Sequence, residues 1–398
     1  MVNPYISYAL SFTIALLLYM LGWSLLYPPL QYPVVIFISA TIVMHVAIGM
    51  VLFKRKLITF KKLPPSTLRK PLVITAFIYF LWAMEFLYAG GIPLLKIILK
   101  QPYDYRTFGI PSLHVFIVTF SSFYTALLFH QYLSSRSRGV LILFFINLMA
   151  ALLIYNRGMA LFNIAHAAFL YLLSVKRISI VKAVAGVFIT IMLLYIFGVL
   201  GSLRVSREAR IPYSNEEFLK IGQASPAFRK SAIADEFFWS YIYISSPLAN
   251  LQHNMSNASQ QHLSWKALGW WVNDQLLPDF VSKRVHHICQ NEAPMPPQIP
   301  GPFNASTIYT GSYFQLGLVG IALMAIIIAC MPFLYLLLIP QHSPYFLSGM
   351  AIMNTIFIFM IFENTIHFTG LSFQLFYPVL FYFINKAFPR ANLFYHSG

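Results

Sequence analysis

Arg204, Arg207 and Arg210 recur every three residues, a spacing that sets them along one side of a helix if the helix runs that far. A row of guanidinium forks can grip a diphosphate through paired hydrogen bonds, which Arg does better than Lys. The same row also reads as a membrane exit, because cations are favoured at helix C-termini and among lipid headgroups. Arg157 is more demanding. It lies in Asn156-Arg157-Gly158 at the start of an apolar run, where a cation opposes the helix dipole. Such a cation calls for an anionic ligand or for a carboxylate such as Glu363. Arg106 and His114 flank Gly109, Pro111 and Ser112; the proline is ordinary helix-start grammar, but the two flanking residues are not needed for capping.

Groups able to accept a proton are scattered. Asp235 and Glu236 precede an aromatic run, His253 sits among amides, and His286 and His287 are adjacent. Glu363 and His367 are four apart at the start of a late apolar run, and Glu85 lies near the end of another, either as a structural pair or as part of a site. Cations around an anion together with a proton acceptor make the chemistry of group transfer with an anionic leaving group. No phosphate-binding glycine loop, dinucleotide fingerprint, cysteine pair or nucleophile elbow is present. His286-His287 has no companion carboxylate at ligand spacing in the sequence, so neither a metal nor another cofactor is expected.

The elements that must position these residues are membrane helices. Of 398 residues, 59% are apolar or aromatic and 10% are charged, against roughly 25% charged in a soluble domain. That balance excludes a soluble enzyme, a disordered chain and a disulfide-stapled module. Apolar runs predict ten spans, near 5–27, 33–53, 71–90, 113–133, 139–155, 157–174, 179–200, 312–339, 345–362 and 367–387. The net charge of +16 follows the positive-inside bias and does not point to nucleic acid. Residues 54–70 hold seven cations and no acid, and Arg136, Arg138, Lys176, Arg177, Lys182, Lys386 and Arg390 fall on the same side. Both termini are therefore expected in the cytoplasm, with every acid in outer loops or outer halves of spans.

The chain divides into an N-terminal bundle of about seven spans (1–200), a large outer loop (201–311) and about three C-terminal spans (312–398). The loop is too long for a connector and too aromatic for disorder, with Trp239, Tyr241 and Tyr243 in one cluster. Helices are expected in it near 231–250 and 264–277. The reading is an all-α polytopic membrane protein with one large extracytoplasmic loop.

Several short patches, in order, carry a family resemblance. They are Gly91-Ile92-Pro93; Tyr105-Arg106 with Phe108-Gly109-Ile110-Pro111-Ser112-Leu113-His114; and Asn156-Arg157-Gly158. Tyr241, Tyr243 and Ser246-Pro247-Leu248-Ala249-Asn250 follow, then Asn304-Ala305-Ser306-Thr307 with Tyr309, Tyr313 and Gly317. Together they resemble the bacterial oligosaccharide repeat-unit (O-antigen, Wzy-type) polymerases. The resemblance implies a fold like the C-type membrane glycosyltransferases and an inner-membrane location. It implies transfer of a growing glycan from undecaprenyl diphosphate onto the non-reducing end of a new repeat unit, for O-antigen or capsule, with a chain-length regulator as a partner. On that reading Arg157, Arg204 and Arg207 stabilise the diphosphate, with Arg106, Arg210 and His114 supporting. Asp235, Glu363 and His253 are the expected bases, with His114 a further catalytic candidate. Trp239, Tyr241, Tyr243, Asn250, Tyr309 and Tyr313 are expected to meet glycan. An O-antigen ligase shares the loop and the donor, and a polysaccharide flippase is the rival of another class.

Overall fold

The computed structural model describes residues 2–64, 67–104, 108–175, 177–208, 210–257, 264–289 and 294–388; Arg106 lies outside them. Among the described residues the secondary structure is helical, apart from one isolated antiparallel bridge between Ser24 and Ala224. The first half of the chain forms α1 (Pro4–Met20), α2 (Tyr32–Lys54), α3 (Arg69–Tyr88), the short α4 (Pro93–Ile98), α5 (Leu113–Ser135), α6 (Arg138–Leu153), α7 (Arg157–Ser174) and α8 (Ile180–Glu208). The segment after it contains α9 (Glu216–Ile221), α10 (Pro226–Arg229), α11 (Phe237–Asn257), α12 (Trp265–Trp271) and α13 (Asp279–Cys289). The chain ends with α14 (Ile308–Leu338), α15 (Phe346–Phe359), α16 (Thr369–Ser372) and α17 (Phe376–Ala387).

Among the described residues, five helices, α2, α3, α5, α8 and α14, are long and apolar enough to cross a membrane. Three shorter apolar helices, α1, α6 and α15, stand among them. The run expected over 5–27 stops at Met20, because Gly22 turns the chain at φ 61° and Pro28 and Pro29 follow. The expected run 367–387 is broken into α16, a 3-10 turn over Phe373–Leu375, and α17. Residues 154–156 separate α6 from α7; Asn156 caps α7 by accepting the Met159 N–H at 2.9 Å, a contribution of about 1 kcal/mol.

α15 is the axle of the bundle. Its residues from Phe346 to Phe357 are all buried, and α1, α5 and α7 pack around it. α8 is its opposite: only Gly198, Ser202 and Ser206 are buried, a strip that meets α11. A Cβ on Gly198 would come within 2.0 Å of the Glu236 carbonyl oxygen, so the absence of a side chain there lets the two helices close. α11 and α12 occupy the two places in the loop where helices are expected, with α12 running on as a π-turn over Val272–Leu276. α14 is kinked at Gly317, whose φ of 61° and ψ of −141° suit only glycine.

Two ends of the bundle follow from these contacts. Residues 54–64, the end of α5 and the 340–345 link share one, here called the basic end. The other carries α9 to α13, the start of α5 and the turn after α15, and is called the loop end. There the 201–311 segment is stitched down: Leu25 N–H donates to Gln223 O at 2.9 Å, Ser225 N–H to Trp23 O at 2.8 Å, and Ile308 N–H to Met360 O at 2.9 Å.

Candidate functional site

α13 organises the loop end. Its first turn is tied to the turn before α16: Asp279 N–H donates to His367 O at 2.8 Å, and the Asp279 carboxylate accepts from Thr369 N–H at 3.2 Å and from the Thr369 hydroxyl. Lys283, one turn on, reaches the same carboxylate at 3.1 Å. Burial pushes the Asp279 carboxyl up, but the Thr369 and Lys283 bonds outweigh it and hold the group below its ordinary value. Arg284 lies over the Phe280 ring at 5.5 Å, and donates to Phe280 O and to Ser112 Oγ at 2.5 Å each. The helix is thereby pinned to the start of α5.

Ser112 can be there because of Glu85. Its buried carboxylate accepts from Ile110 N–H at 3.2 Å and from His114 Nδ1 at 2.9 Å, which ties the turn 109–114 to α3. Gly109, at φ 98°, admits the His114 ring; a Cβ would come within 2.6 Å of it. Glu85 and His114 thus form a structural pair beside the site, and neither lines a recess.

Two recesses share a wall of α13. The larger, about 1120 Å³, is lined by Asp274, Gln275, Ser282, His286, Gln315 and His367, and by Pro294 to Pro296. The smaller, about 570 Å³, is lined by Ser112, Val115, Asp279, Phe280 and Arg284. Lys283 and His287 face both. Volumes of this order hold a small glycan headgroup.

The larger recess contains a carboxylate–imidazole pair. His286 Nε2 lies 2.7 Å from Asp274 Oδ1, which also accepts from Asn273 Nδ2 at 2.9 Å. Asp274 Oδ2 accepts from Gln315 Nε2 at 2.8 Å. Asn273 Nδ2 lies 2.9 Å from the same His286 Nε2. Gln315 is supported by Gln275, whose amide is admitted by Gly311; a Cβ there would come within 2.6 Å of it. His367 has its tautomer fixed, Nδ1–H donating to Leu277 O at 2.6 Å, which leaves its lone pair on Nε2. Glu363, in the same turn, keeps contact with solvent while protein crowds it on most sides. That crowding, with the negative charge of Asp279, raises its carboxyl to about 7. Among the described residues, no three His, Cys, Asp or Glu side chains converge as metal ligands would.

Comparison with protein families, with curated proteins and with solved structures finds no match. The geometry therefore has to speak for itself.

The residues singled out from the sequence are spread over the loop end. Arg204 bonds Glu208 at 2.8 Å and is 70% exposed; Arg207 and Arg210 are exposed beside it at the end of α8. α8 packs on α9 and α11, and α11 and α14 stand between it and α12. Arg157 is exposed over the Tyr155 ring at 5.6 Å and has no carboxylate partner among the described residues. Asp235 is exposed in the turn before α11, and His253 meets Asn257 at 3.1 Å on that helix. Trp239 stacks on Phe218 at 3.6 Å and donates to Ser202 Oγ, while Tyr243 is half exposed against Phe197. Tyr241, Asn250 and Tyr309 are buried, with their polar atoms bonded to Trp23 N–H, to the 299–305 backbone and to Tyr8. Tyr313 is half-buried. None of these residues lines either recess; Glu363 stands beside Asp279, at their margin.

Asp274, Lys283, Arg284 and Gln315 did not stand out in the sequence. One signal was available: Lys283-Arg284-Val285-His286-His287 puts four basic side chains in five residues, and Asp274 and Asp279 precede them.

Proposed function

We propose that the chain is a membrane glycosyltransferase that lengthens a polyprenyl-diphosphate-linked oligosaccharide, as do the repeat-unit polymerases its sequence patches resemble, and that α13 carries the reaction. The observation that supports this most is the shared wall: cations Lys283 and Arg284 with His287 on one helix, beside His286 at 2.7 Å from Asp274. A hydroxyl of the acceptor's non-reducing sugar attacks the anomeric carbon of the donor glycan. The carbon–oxygen bond to phosphate breaks, and the polyprenyl diphosphate leaves with the bonding electrons. The imidazole of the His286–Asp274 pair takes the hydroxyl proton, and Asp274 stabilises the imidazolium that results. Lys283, Arg284 and His287 lie where charge grows on the leaving group, and Arg presents the planar fork that a diphosphate matches. His367 Nε2, in the wall of the same recess, and Glu363, at its margin, are further proton acceptors. Arg157, exposed at the start of α7 with no carboxylate partner among the described residues, is a second contact for the long anionic substrate.

In this reading the bundle crosses the bacterial inner membrane ten times. The five long helices are joined by α1, α6, α15, the 18-residue α7 and the α16–α17 unit. The loop end is periplasmic, where lipid-linked units are presented, and both termini are cytoplasmic. On the same reading, the bundle and its large outer loop take the fold of the C-type membrane glycosyltransferases.

The test uses the full-length protein in nanodiscs, supplied with lipid-linked repeat units and nothing else. A ladder of longer glycans is expected, and it should vanish with His286→Ala. No ladder from a well-folded protein, or transfer only when a lipid A core acceptor is added, would overturn polymerisation; the second result would make it a ligase.

A further inference from the structure

At the basic end, remote from α13, a pocket of about 230 Å³ opens between residues 61–64, the last turns of α5 and the 341–347 link into α15. Lys61, Lys62 and His342 line it beside Gln341 and Ser343, and no carboxylate occurs among its described lining residues. Neither lysine forms an ion pair with any described residue. Two lysines in one wall without a carboxylate repel each other, so an anion in the pocket relieves the arrangement. α15 begins at the same place. No side chain caps its first turn, and Ser343, Pro344 and Leu347 of that end form part of the wall, so the partial positive charge of the helix end adds to that of the lysines.

His130 supplies an independent observation. Its ring is 1% exposed, and Nε2–H donates to Lys61 O at 2.9 Å, which fixes the strand of chain that carries the lysines. Nδ1 is also buried, yet has no hydrogen-bond partner among the described residues, although the ring lines the pocket. A buried polar atom left unpaired is costly, and most such atoms in folded proteins have a partner. His130 thus leaves an unpaired polar atom behind the wall of the pocket.

We propose that this pocket binds a phosphate group, held by Lys61, Lys62 and His342, with the N-terminus of α15 and His130 at its back. The phosphate can belong to the headgroup of an anionic phospholipid or to a small soluble phosphate. The site is independent of the reaction assigned to α13, and its failure leaves that assignment untouched. Its position at the basic end, among the cations of residues 54–70, concentrates either ligand there by long-range attraction.

Two probes separate the sources. Purified full-length protein in phosphatidylcholine nanodiscs is titrated with inorganic phosphate and followed by thermal unfolding. The same protein in detergent is mixed with phosphatidylglycerol, and retained lipid is counted by native mass spectrometry. Stabilisation by phosphate assigns a soluble ligand; retention of phosphatidylglycerol without a phosphate response assigns the headgroup. In either case Lys61→Gln with Lys62→Gln should weaken the response about fivefold or more, the loss of roughly one charged hydrogen bond. His342→Glu, which places a carboxylate in the wall, should do the same. Lys54→Gln with Lys56→Gln removes equal charge from the same loop outside the pocket and should change little. An equal loss in both double variants would reduce the effect to general surface charge and overturn the site, as would a wild-type protein that responds to neither probe.

Discussion

Among the described residues α8 and α13 both carry clustered cations in their later turns, and they differ in how those cations are held. On α8, Arg204 and Arg207 share a side, but the helix buries only three small residues, and Arg204 spends its guanidinium on Glu208 in open solvent. An exposed i, i+4 pair of that kind is worth at most about 1 kcal/mol. On α13, Lys283 and Arg284 sit on a helix pinned at both flanks, by Thr369 and His367 on one side and by Ser112 on the other. Spacing says that cations lie along one side of a helix. What gives the row a use is the packing on the other sides, because only a row held against a recess has its charges oriented before a ligand arrives.

The comparison breaks first at the carboxylate–imidazole pair. His286→Ala and Asp274→Asn should each lower chain elongation about a hundredfold or more, the usual worth of a positioned general base, with protein level unchanged. If both variants elongate normally, α13 is not the catalytic helix. Next in size is Arg284→Lys. It keeps the charge but cannot hold Ser112 Oγ and Phe280 O while presenting a fork, so a loss of roughly tenfold in kcat/KM is expected. Full activity in that variant would show that charge alone suffices there.

Glu363 sharpens the contrast through pH. Its folded carboxyl stands at about 7 against an ordinary 4.5, so the folded state holds a proton that the unfolded state releases. The stability this contributes is complete below pH 4.5 and is lost as pH rises through about 7. Asp279 has the opposite sign: its depressed carboxyl contributes above its ordinary 3.8 and loses that contribution as pH falls. Thermal unfolding between pH 4.5 and 7.5 should therefore fall with rising pH in the wild type and flatten in Glu363→Gln. An unchanged slope in the variant would mean that neither burial nor the Asp279 charge raises the Glu363 carboxyl.

How much of this could be read from residues alone depends on the range of the interactions. The membrane helices were legible because an apolar run of about twenty residues is a local property, and so was the cap at Asn156, which acts three residues away. The tie between α13 and the start of α16 was not legible: Thr369's partner is Asp279, 90 residues away in sequence. The site shows the same division. His286, His287, Glu363 and His367 stood out by type, but Asp274 and Gln315 gain their meaning from a contact across 41 residues that no spacing rule encodes. Tyr241 and Asn250 illustrate the converse. A Tyr and an Asn beside an aromatic run look like sugar contacts, yet the fold buries both, with Tyr241 on Trp23 and Asn250 clamping the 299–305 backbone.

The smallest expected effect belongs to α8. Arg204→Ala removes a guanidinium that is already neutralised by Glu208 and separated from α12 by α11 and α14, so elongation should change by less than about twofold. Arg157→Ala lies between the rows: exposed, without a carboxylate partner among the described residues and on the first turn of α7, it should raise KM for the lipid-linked substrate severalfold and leave kcat nearly intact, as expected of a contact that binds ground and transition states alike. The split in the kinetic constants is what separates the two arginines. A tenfold or larger fall in kcat for Arg204→Ala, at normal expression and membrane insertion, would move the departing diphosphate to α8 and leave the α13 cations with a structural role.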